Sequence, residues 1–379
     1  NDTATTEIYT GCRSSAASDV YKRQGMYCAL QRPEPMTPKE VAALEQAMKA
    51  LVDSDLRLTP QRFGMRALLK IFERRGDTAD LHAARYLRRE SMVMYTMEGS
   101  TRLYYGRQLP STGYVRAFRL VPEGNGFVLM TGRKGDPWNV TDYLPQPKLR
   151  DTLCEYASWT KSVGLAHTGN VNEYIVQGRT AELIQLSEAR HTRFFVEAST
   201  RVADLPEEGR LVLIAGPSSS GKTSSAKRLM VQLRVLGLEP FALSLDDYFV
   251  DREDTPRTLD GDFDFESLGA LKVDLFNEHL RRLIDGEPVH LPRFDFRTGR
   301  AAFADEPTRI GRGQPLIVEG IHALNPALTP AIPDRDKLKV YVSALCHLNI
   351  NNASYIKTTH SRLFRRIVRD AQFRGYTAS

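Results

Sequence analysis

The chain of 379 residues contains no run of about 18 apolar residues, so a membrane-spanning helix is not expected. Cysteine is scarce: Cys12, Cys28, Cys154 and Cys346 stand alone, with no CxxC pair. That spacing supports neither a zinc ribbon nor a disulfide framework. Scattered single thiols fit a reducing compartment, and a cytoplasmic location is expected. The start of the chain also lacks the apolar core of a secretory leader. Residues 1–24 are small and polar without periodic apolar positions, and the string CRSSAASDVYKRQ resembles translated sequencing-adaptor sequence. They are expected to form a non-native or disordered tail and are set aside.

What remains is globular in composition, with 41% apolar and 26% charged residues, and long enough for two domains. The formal charge of +6 is not spread evenly. Residues 352–379 hold six basic residues against one acid, a net +5, so the rest is nearly neutral. A general nucleic-acid-binding surface is therefore not expected.

Thr37 can cap a helix over 38–52, in which Val41, Leu44, Met48 and Leu51 keep helical spacing. A second helix is predicted over 65–74. MVMYTM, RLYYG, YVRAFRLV and GFVLMTG, between residues 92 and 133, read as short strands separated by turns. Helices return over 149–163 and 180–203. The stretch Leu205-Pro-Glu-Glu-Gly209 then breaks the pattern, and the domain boundary is expected there. Residues 25–204 form an α+β domain in this reading, and 205–379 a second domain. In the second, strands LVLIAG (211–216), PFALSL (240–245), PLIVEG (315–320) and KLKVYVSA (337–344) alternate with helices over 223–236 and 275–284. That order implies right-handed crossovers and an α/β, mainly parallel sheet flanked by helices.

Between the first of these strands and its helix, Gly216-Pro-Ser218-Ser219-Ser220-Gly221-Lys222-Thr223 fits the GxxxxGK[ST] phosphate loop. Glycines let main-chain N–H groups turn inward around phosphate oxygens, and the helix start adds its positive dipole end. Gly216, Ser218 to Thr223 and Ser224 are the expected ATP-binding residues. Lys222 reaches the β- and γ-phosphates, and Thr223 can ligate Mg²⁺.

In doubly wound sheets ligands gather at the carboxyl ends of the strands. Here the second strand ends in Asp246-Asp247-Tyr248 and the third in Glu319. One carboxylate can hold Mg²⁺ and another can accept a proton from an attacking hydroxyl. Asp246, Asp247 and Glu319 are the candidates for these roles, and at least one of the two aspartates is expected to act, beside the Thr223 hydroxyl as a metal ligand. DFDFE (262–266) and LPRFDFRT (291–298) lie in loops, and their alternating aromatics and charges suit a pocket that stacks a ring. Phe263, Phe265, Phe294 and Phe296 are expected to divide between that pocket and the core. Arg362, Arg365, Arg366 and Arg369 share one helix face and Leu363, Phe364, Ile367 and Val368 another. A guanidinium row over a phosphate loop can neutralise charge during transfer and close off water.

The strings GPSSSGKTSSAKRL, SLDDYF, DFDFESL, LPRFDFRTG, IVEGIHALNP and SRLFRRIVRDAQFRG together resemble the phosphoribulokinase/uridine kinase family of P-loop kinases over residues 211–375. The resemblance implies ATP and Mg²⁺ as cofactors and a small-molecule hydroxyl as acceptor. It aligns Asp246 with the catalytic aspartate, Glu319 with the Mg²⁺-linked glutamate and Glu266 with an acid near the substrate ribose. Arg365, Arg366, Arg369 and Arg374 align with lid arginines, so the resemblance implies Asp246 as base, Lys222, Arg366 and Arg369 as further catalytic groups, Arg365 on the nucleotide, and Thr223, Glu319 and Asp246 around the metal. Tyr248, Glu266, Phe294 and Arg374 are the expected substrate contacts. Uridine kinases carry tyrosine where Phe294 stands and histidine near Gly299; without those groups a uracil preference is in doubt. A sugar-phosphate kinase using Arg293, Arg297 and Arg300, or a nucleotide-dependent regulatory or RNA-associated protein, remains open.

YYGRQLPSTGYVRAFRLV, NEYIVQGR and ELIQLSEARH resemble the segment before the kinase in a bacterial subgroup, similar to the threonyl-tRNA synthetase N-terminal region. The HxxxH pair of the synthetase is not present. His82, His167 and His191 are isolated and read as polar or capping residues, so no metal site and no editing activity are expected there. The family pattern continues past Ser379. The chain is expected to be incomplete at both ends, with an unpaired sheet edge that predicts self-association.

Overall fold

The computed structural model describes residues 13–14, 25–29, 34–115, 117–132, 136–258, 260–344, 348–351, 354, 356 and 358–373. The chain divides into two compact units: Ile184–Ala344, and the described residues of 1–183 together with those of 345–379.

The first unit is α+β. Its strands β1 (Arg13–Ser14), β2 (Met26–Ala29), β6 (Phe118–Glu123) and β7 (Gly126–Thr131) form an antiparallel sheet in the order β1-β2-β7-β6. Strands β3 (Thr59–Gly64), β4 (Ser91–Met97) and β5 (Ser100–Leu103) form a second antiparallel sheet. Helix α1 (Pro38–Asp53) begins at the expected cap: the Thr37 hydroxyl accepts from the Glu40 amide, and Glu40 accepts from the Thr37 amide at 2.7 Å. Such a box is worth about 0.5–2 kcal/mol. Val41 and Leu44 carry its inner face into a core with Cys28, Leu120 and Phe127.

Helix α2 (Met65–Arg75) buries Leu68 and Phe72 against Met92, Met94 and Leu103 of the second sheet. Helices α3 (Thr78–Arg85) and α5 (Thr168–Val176) were not legible in the sequence, while α4 (Pro147–Ser162) was. α3 and α5 meet at Gly169, where a Cβ would stand 2.5 Å from the His82 Cβ. His167 caps α5, accepting the role expected of it.

In the second unit β8 (Leu211–Ala215), β9 (Phe241–Ser244), β12 (Leu316–Glu319) and β13 (Lys337–Tyr341) form an all-parallel sheet in the order β13-β8-β12-β9. Period-2 alternation sorts their side chains to two covered faces. Leu211, Leu213, Leu243, Leu316 and Val318 face Phe276, Leu280 and Leu283 of helix α8 (Val273–Ile284). Val212, Ile214 and Ile317 face Ala226, Leu229 and Leu233 of helix α7 (Lys222–Val235). The same face takes Phe195, Ala198 and Val202 of helix α6 (Thr180–Ala203). Burying Phe195 and Val202 there contributes about 1.5–3 kcal/mol each. This is why the unit starts at Ile184 and not at the break near residue 205: the helix expected to close the first domain packs on the sheet of the second.

A short antiparallel hairpin, β10 (Pro292–Asp295) and β11 (Arg300–Phe303), stands where the sequence suggested only loop. The basic segment forms helix α9 (Thr358–Phe373), which groups with the first unit.

Candidate active site

The carboxyl ends of β8, β12 and β9 lie side by side, with Glu319 in register with Ile214 on one side and Ser244 on the other. Every residue of β8 is buried, so the chain leaves the sheet from a fixed point at Ala215. The Val342 amide donates to the Ala215 carbonyl at 2.7 Å, bringing the neighbouring chain hard against Gly216. A Cβ on Gly216 would stand 2.0 Å from the Val342 carbonyl oxygen, so only glycine fits. The loop then curls. Ser220 N–H closes a turn on the Pro217 carbonyl at 3.1 Å, Ser219 takes φ +60°, and Gly221 takes φ +104° just before the first helical residue.

Helix geometry leaves the amides of Lys222, Thr223 and Ser224 without a carbonyl four residues back inside α7. The Ser220 hydroxyl is buried and has no hydrogen-bond partner among the described residues. Donors without acceptors around a curled loop fit a polyanion such as a nucleotide's phosphates.

The Thr223 hydroxyl donates to Glu319 Oε1 at 2.7 Å, joining the loop to the tip of β12. Burial pushes the Glu319 carboxyl above its usual range. The Thr223 bond and the Lys222 and Lys227 ammonium groups pull it back, while the Asp246 charge adds to the rise. A half-buried carboxylate with a second acid nearby favours a cation between them. No group of three His, Cys, Asp or Glu side chains that could hold a metal exists among the described residues. The donor set fits Mg²⁺ completed by phosphate oxygens and water, the usual manner for this ion, and not an all-protein metal cage.

Strand β9 runs into a 3₁₀ turn, Leu245–Tyr248, capped by the Ser244 hydroxyl accepting from the Asp246 amide at 3.3 Å. On such a turn residues three apart share a face. Leu245 and Tyr248 therefore both point inward, and Asp246 is exposed at the strand tips. Asp247 is a peg: its Oδ1 accepts from the Phe294 amide at 3.3 Å, tying the turn to β10. Burial raises the Asp247 carboxyl, offset by that amide and by Arg293, with Asp246 adding to the rise.

Two expected substrate contacts are corrected. Tyr248 is 0% exposed, its hydroxyl bonded to His279 Nδ1 at 3.1 Å and its ring edge-on to Phe276. Burial raises its phenol well beyond the ordinary range, and it belongs to the core. Phe294 is buried too, against Phe249 and Phe296 with ring centroids 5.7 and 5.1 Å away. The aromatic surface is formed instead by Phe265 and Phe296, 38% and 56% exposed, both edge-on to buried Phe249. Phe263 is partly covered and packs on Phe265 at 5.9 Å. The main chain holding Phe296 is fixed by Arg252, whose guanidinium donates to the Phe296 carbonyl and whose amide donates to Gly299. Glu266 is exposed on the neighbouring loop, its amide bonded to Asp264 at 3.1 Å.

Arg365, Arg366 and Arg369 lie on α9, in the other unit. Arg366 and Arg369 pair with Asp370 at 3.5 and 2.8 Å. Arg374 lies outside the described residues. Of the other arginines weighed, Arg297 is near Asp295 at 3.9 Å and Arg300 near Glu253 at 3.5 Å. His191 of α6 bonds Arg228 of α7 at 2.9 Å.

Residues 211–379 match the model of the Phosphoribulokinase / Uridine kinase family. A uridine kinase of Deinococcus deserti is 29% identical over 164 residues, 43% of this chain and 70% of that protein. The protein named inorganic pyrophosphatase TTM1 of Arabidopsis thaliana is 27% identical over 165 residues, 44% of this chain and 21% of that protein. Among solved structures, a protein described as a "Possible Uridine Kinase" from Bacillus stearothermophilus is 24% identical. That alignment covers 39% of this chain and 79% of the other, with a TM-score of 0.33. The family match starts at residue 211, so the likeness of the first half to a synthetase region rests on its own strings alone. The buried strand, the curled Gly-rich loop, the helix start and the strand-tip glutamate bonded to the loop threonine all lie within residues 211–379, the part of the chain that is similar to the Phosphoribulokinase / Uridine kinase family.

Proposed function

We propose that this chain is an ATP- and Mg²⁺-dependent kinase that phosphorylates a hydroxyl of a small, ring-bearing molecule, a nucleoside or a related alcohol. The observation that carries the reading is the 2.7 Å bond from Thr223 to Glu319, which brings the loop hydroxyl and the strand-tip carboxylate to one point. The loop amides and Lys222 would hold the nucleotide's phosphates, and Thr223 and Glu319 would hold Mg²⁺. A cation held there would supply positive charge against the charge of the nucleotide's phosphates. Asp246, exposed at the tip of β9, takes the acceptor hydroxyl's proton or orients it for in-line attack on the terminal phosphorus. A general base of this kind is worth about 10²–10⁴ in rate, or roughly 3–5 kcal/mol of barrier.

The exposed Phe265 and Phe296 rings favour an acceptor with a flat ring over a sugar phosphate. Burial of Phe294 removes it as a base contact, so the missing tyrosine hydroxyl at that position does not itself argue against a nucleoside. Screening nucleosides, pentose phosphates and simple alcohols for ATP-dependent product tests the reading. A phosphorylated nucleoside, with turnover lost in Asp246→Asn and ATP binding kept, is expected. ATP hydrolysis stimulated by RNA with no phosphorylated small product would overturn it.

A further inference from the structure

Within the second unit, the hairpin of β10 and β11 is bound at three places to the segment that leaves β9. On the β10 side the Phe294 amide donates to Asp247 Oδ1. On the β11 side the Ala301 amide donates to Asp251 Oδ1 at 3.4 Å. Between them lies the turn of residues 296–299, and one side chain spans it. Arg252 opens the 3₁₀ turn Arg252–Asp254. Its amide donates to the Gly299 carbonyl at 2.9 Å, and its guanidinium donates to the Phe296 carbonyl. The turn is also closed from within. The Gly299 amide donates to the Asp295 carbonyl at 2.7 Å, and the Arg297 amide to Asp295 Oδ1 at 2.8 Å.

Arg252 and Gly299 are matched to each other. Gly299 takes φ +73°, and a Cβ there would stand 2.8 Å from Arg252 Cβ, 2.9 Å from its Nε and 3.0 Å from its Cζ. The arginine therefore lies across the glycine in space that any other residue would fill. Its guanidinium bonds a neutral main-chain carbonyl and not a carboxylate, so the contact serves geometry and not charge pairing. The carbonyl it holds belongs to Phe296, whose ring is 56% exposed and 6.0 Å from that of Phe249. Phe249 directly follows the turn that presents Asp246. The exposed ring and the exposed acid thus hang from one short length of chain, residues 246–252. Groups held in place before a ligand arrives cost little further ordering when it binds.

We infer that Arg252, seated on Gly299, is a positioning residue for the acceptor: it fixes the Phe296 ring relative to Asp246, so that the wall on which the acceptor's ring rests is formed before the acceptor binds. The role toward the acceptor rests on the kinase reading. The tie between Arg252 and the hairpin does not.

The experiment uses the whole chain. Amide hydrogen exchange is followed over 292–303 and, as a control, over 211–235. ATP affinity is read by calorimetric titration, and turnover is measured with the acceptor found by the screen. Arg252→Ala and Gly299→Ala are expected to speed exchange over 292–303 at least fivefold and leave 211–235 unchanged. Both should raise the acceptor KM several-fold with ATP affinity within twofold. Gly299→Ala keeps every charge, so agreement between the two variants separates the tie from the arginine's charge. It also decides the matter if the Arg252→Ala chain unfolds. In a chain already carrying Phe296→Ala, Arg252→Ala should change the acceptor KM less than twofold, because the arginine acts through that ring. Unchanged exchange over 292–303 in both variants would overturn the tie. Faster exchange with an unchanged acceptor KM, or effects of Arg252→Ala and Phe296→Ala that multiply, would overturn the positioning role. A wild-type chain that phosphorylates no acceptor would overturn the kinase reading and the role of Arg252 with it, while exchange would still decide the tie.

Discussion

Asp80→Asn should stabilise the first unit at neutral pH, and by an amount that depends on pH in a defined window. Burial, with Asp77 adding to it, pushes the Asp80 carboxyl up from 3.8 to about 6 despite the Asn351 bond and Arg102. The folded state therefore holds a proton that the unfolded chain gives up near pH 4. Between those values the folded state binds more protons than the unfolded one, so stability falls as pH rises. The favourable contribution is fully present below about pH 4 and lost above about pH 6. About two pH units correspond to roughly 3 kcal/mol. Asparagine is isosteric, cannot ionise and still offers Asn351 an oxygen, though a weaker acceptor than a carboxylate. A net gain of about 1–3 kcal/mol at pH 7 is expected, shrinking towards zero near pH 4. Both tryptophans of the chain, Trp138 and Trp159, lie in the first unit, so urea unfolding followed by tryptophan fluorescence reports that unit. Taking the variant-minus-wild-type difference cancels the other carboxylates. A difference that stays flat between pH 4 and 7, or a variant less stable than wild type at pH 7, would refute the reasoning.

Three further expectations concern the second unit. Gly216→Ala places a methyl 2.0 Å from the Val342 carbonyl oxygen and should displace the loop, lowering ATP affinity at least tenfold by calorimetric titration. Tyr248→Phe deletes the hydroxyl bonded to His279 and should cost about 1 kcal/mol in urea unfolding while leaving the acceptor KM unchanged; a raised KM would return Tyr248 to the substrate site. Phe296→Ala removes an exposed ring and should raise the acceptor KM several-fold with stability within about 0.5 kcal/mol, read by steady-state kinetics and unfolding side by side.

The phosphate end of the site was legible because its signals are local. LVLIAG is a short apolar run, as a strand covered on both faces must be, and the glycines that follow occupy positions where geometry excludes other residues. The carboxylates at the strand tips follow from the parallel order alone. What sequence reading missed depended on contacts or on the period of a short element. Tyr248 follows two acids and looked like part of the site, but the 3₁₀ turn pairs it with Leu245 on the inner face. Phe294 alternates inward on β10, whereas Phe296 lies beyond the strand's end at Asp295 and escapes that alternation. Helix α6 was read to its terminal residues, yet nothing local says which sheet Phe195, Ala198 and Val202 will cover. The bond between Asp80 and Asn351 joins residues 271 apart in sequence, which no spacing rule connects.

The account turns on a nucleotide's phosphates lying in the loop of residues 216–223 with Mg²⁺ held from Thr223 and Glu319. Calorimetric titration of ATP into the whole chain, with and without Mg²⁺, tests this on wild type, Lys222→Ala and Glu319→Gln. Saturable binding to wild type is expected, with Lys222→Ala weakening it at least tenfold and Glu319→Gln abolishing its dependence on Mg²⁺. No uptake of ATP by a folded wild-type chain, or equal affinity in all three with and without the ion, would contradict it.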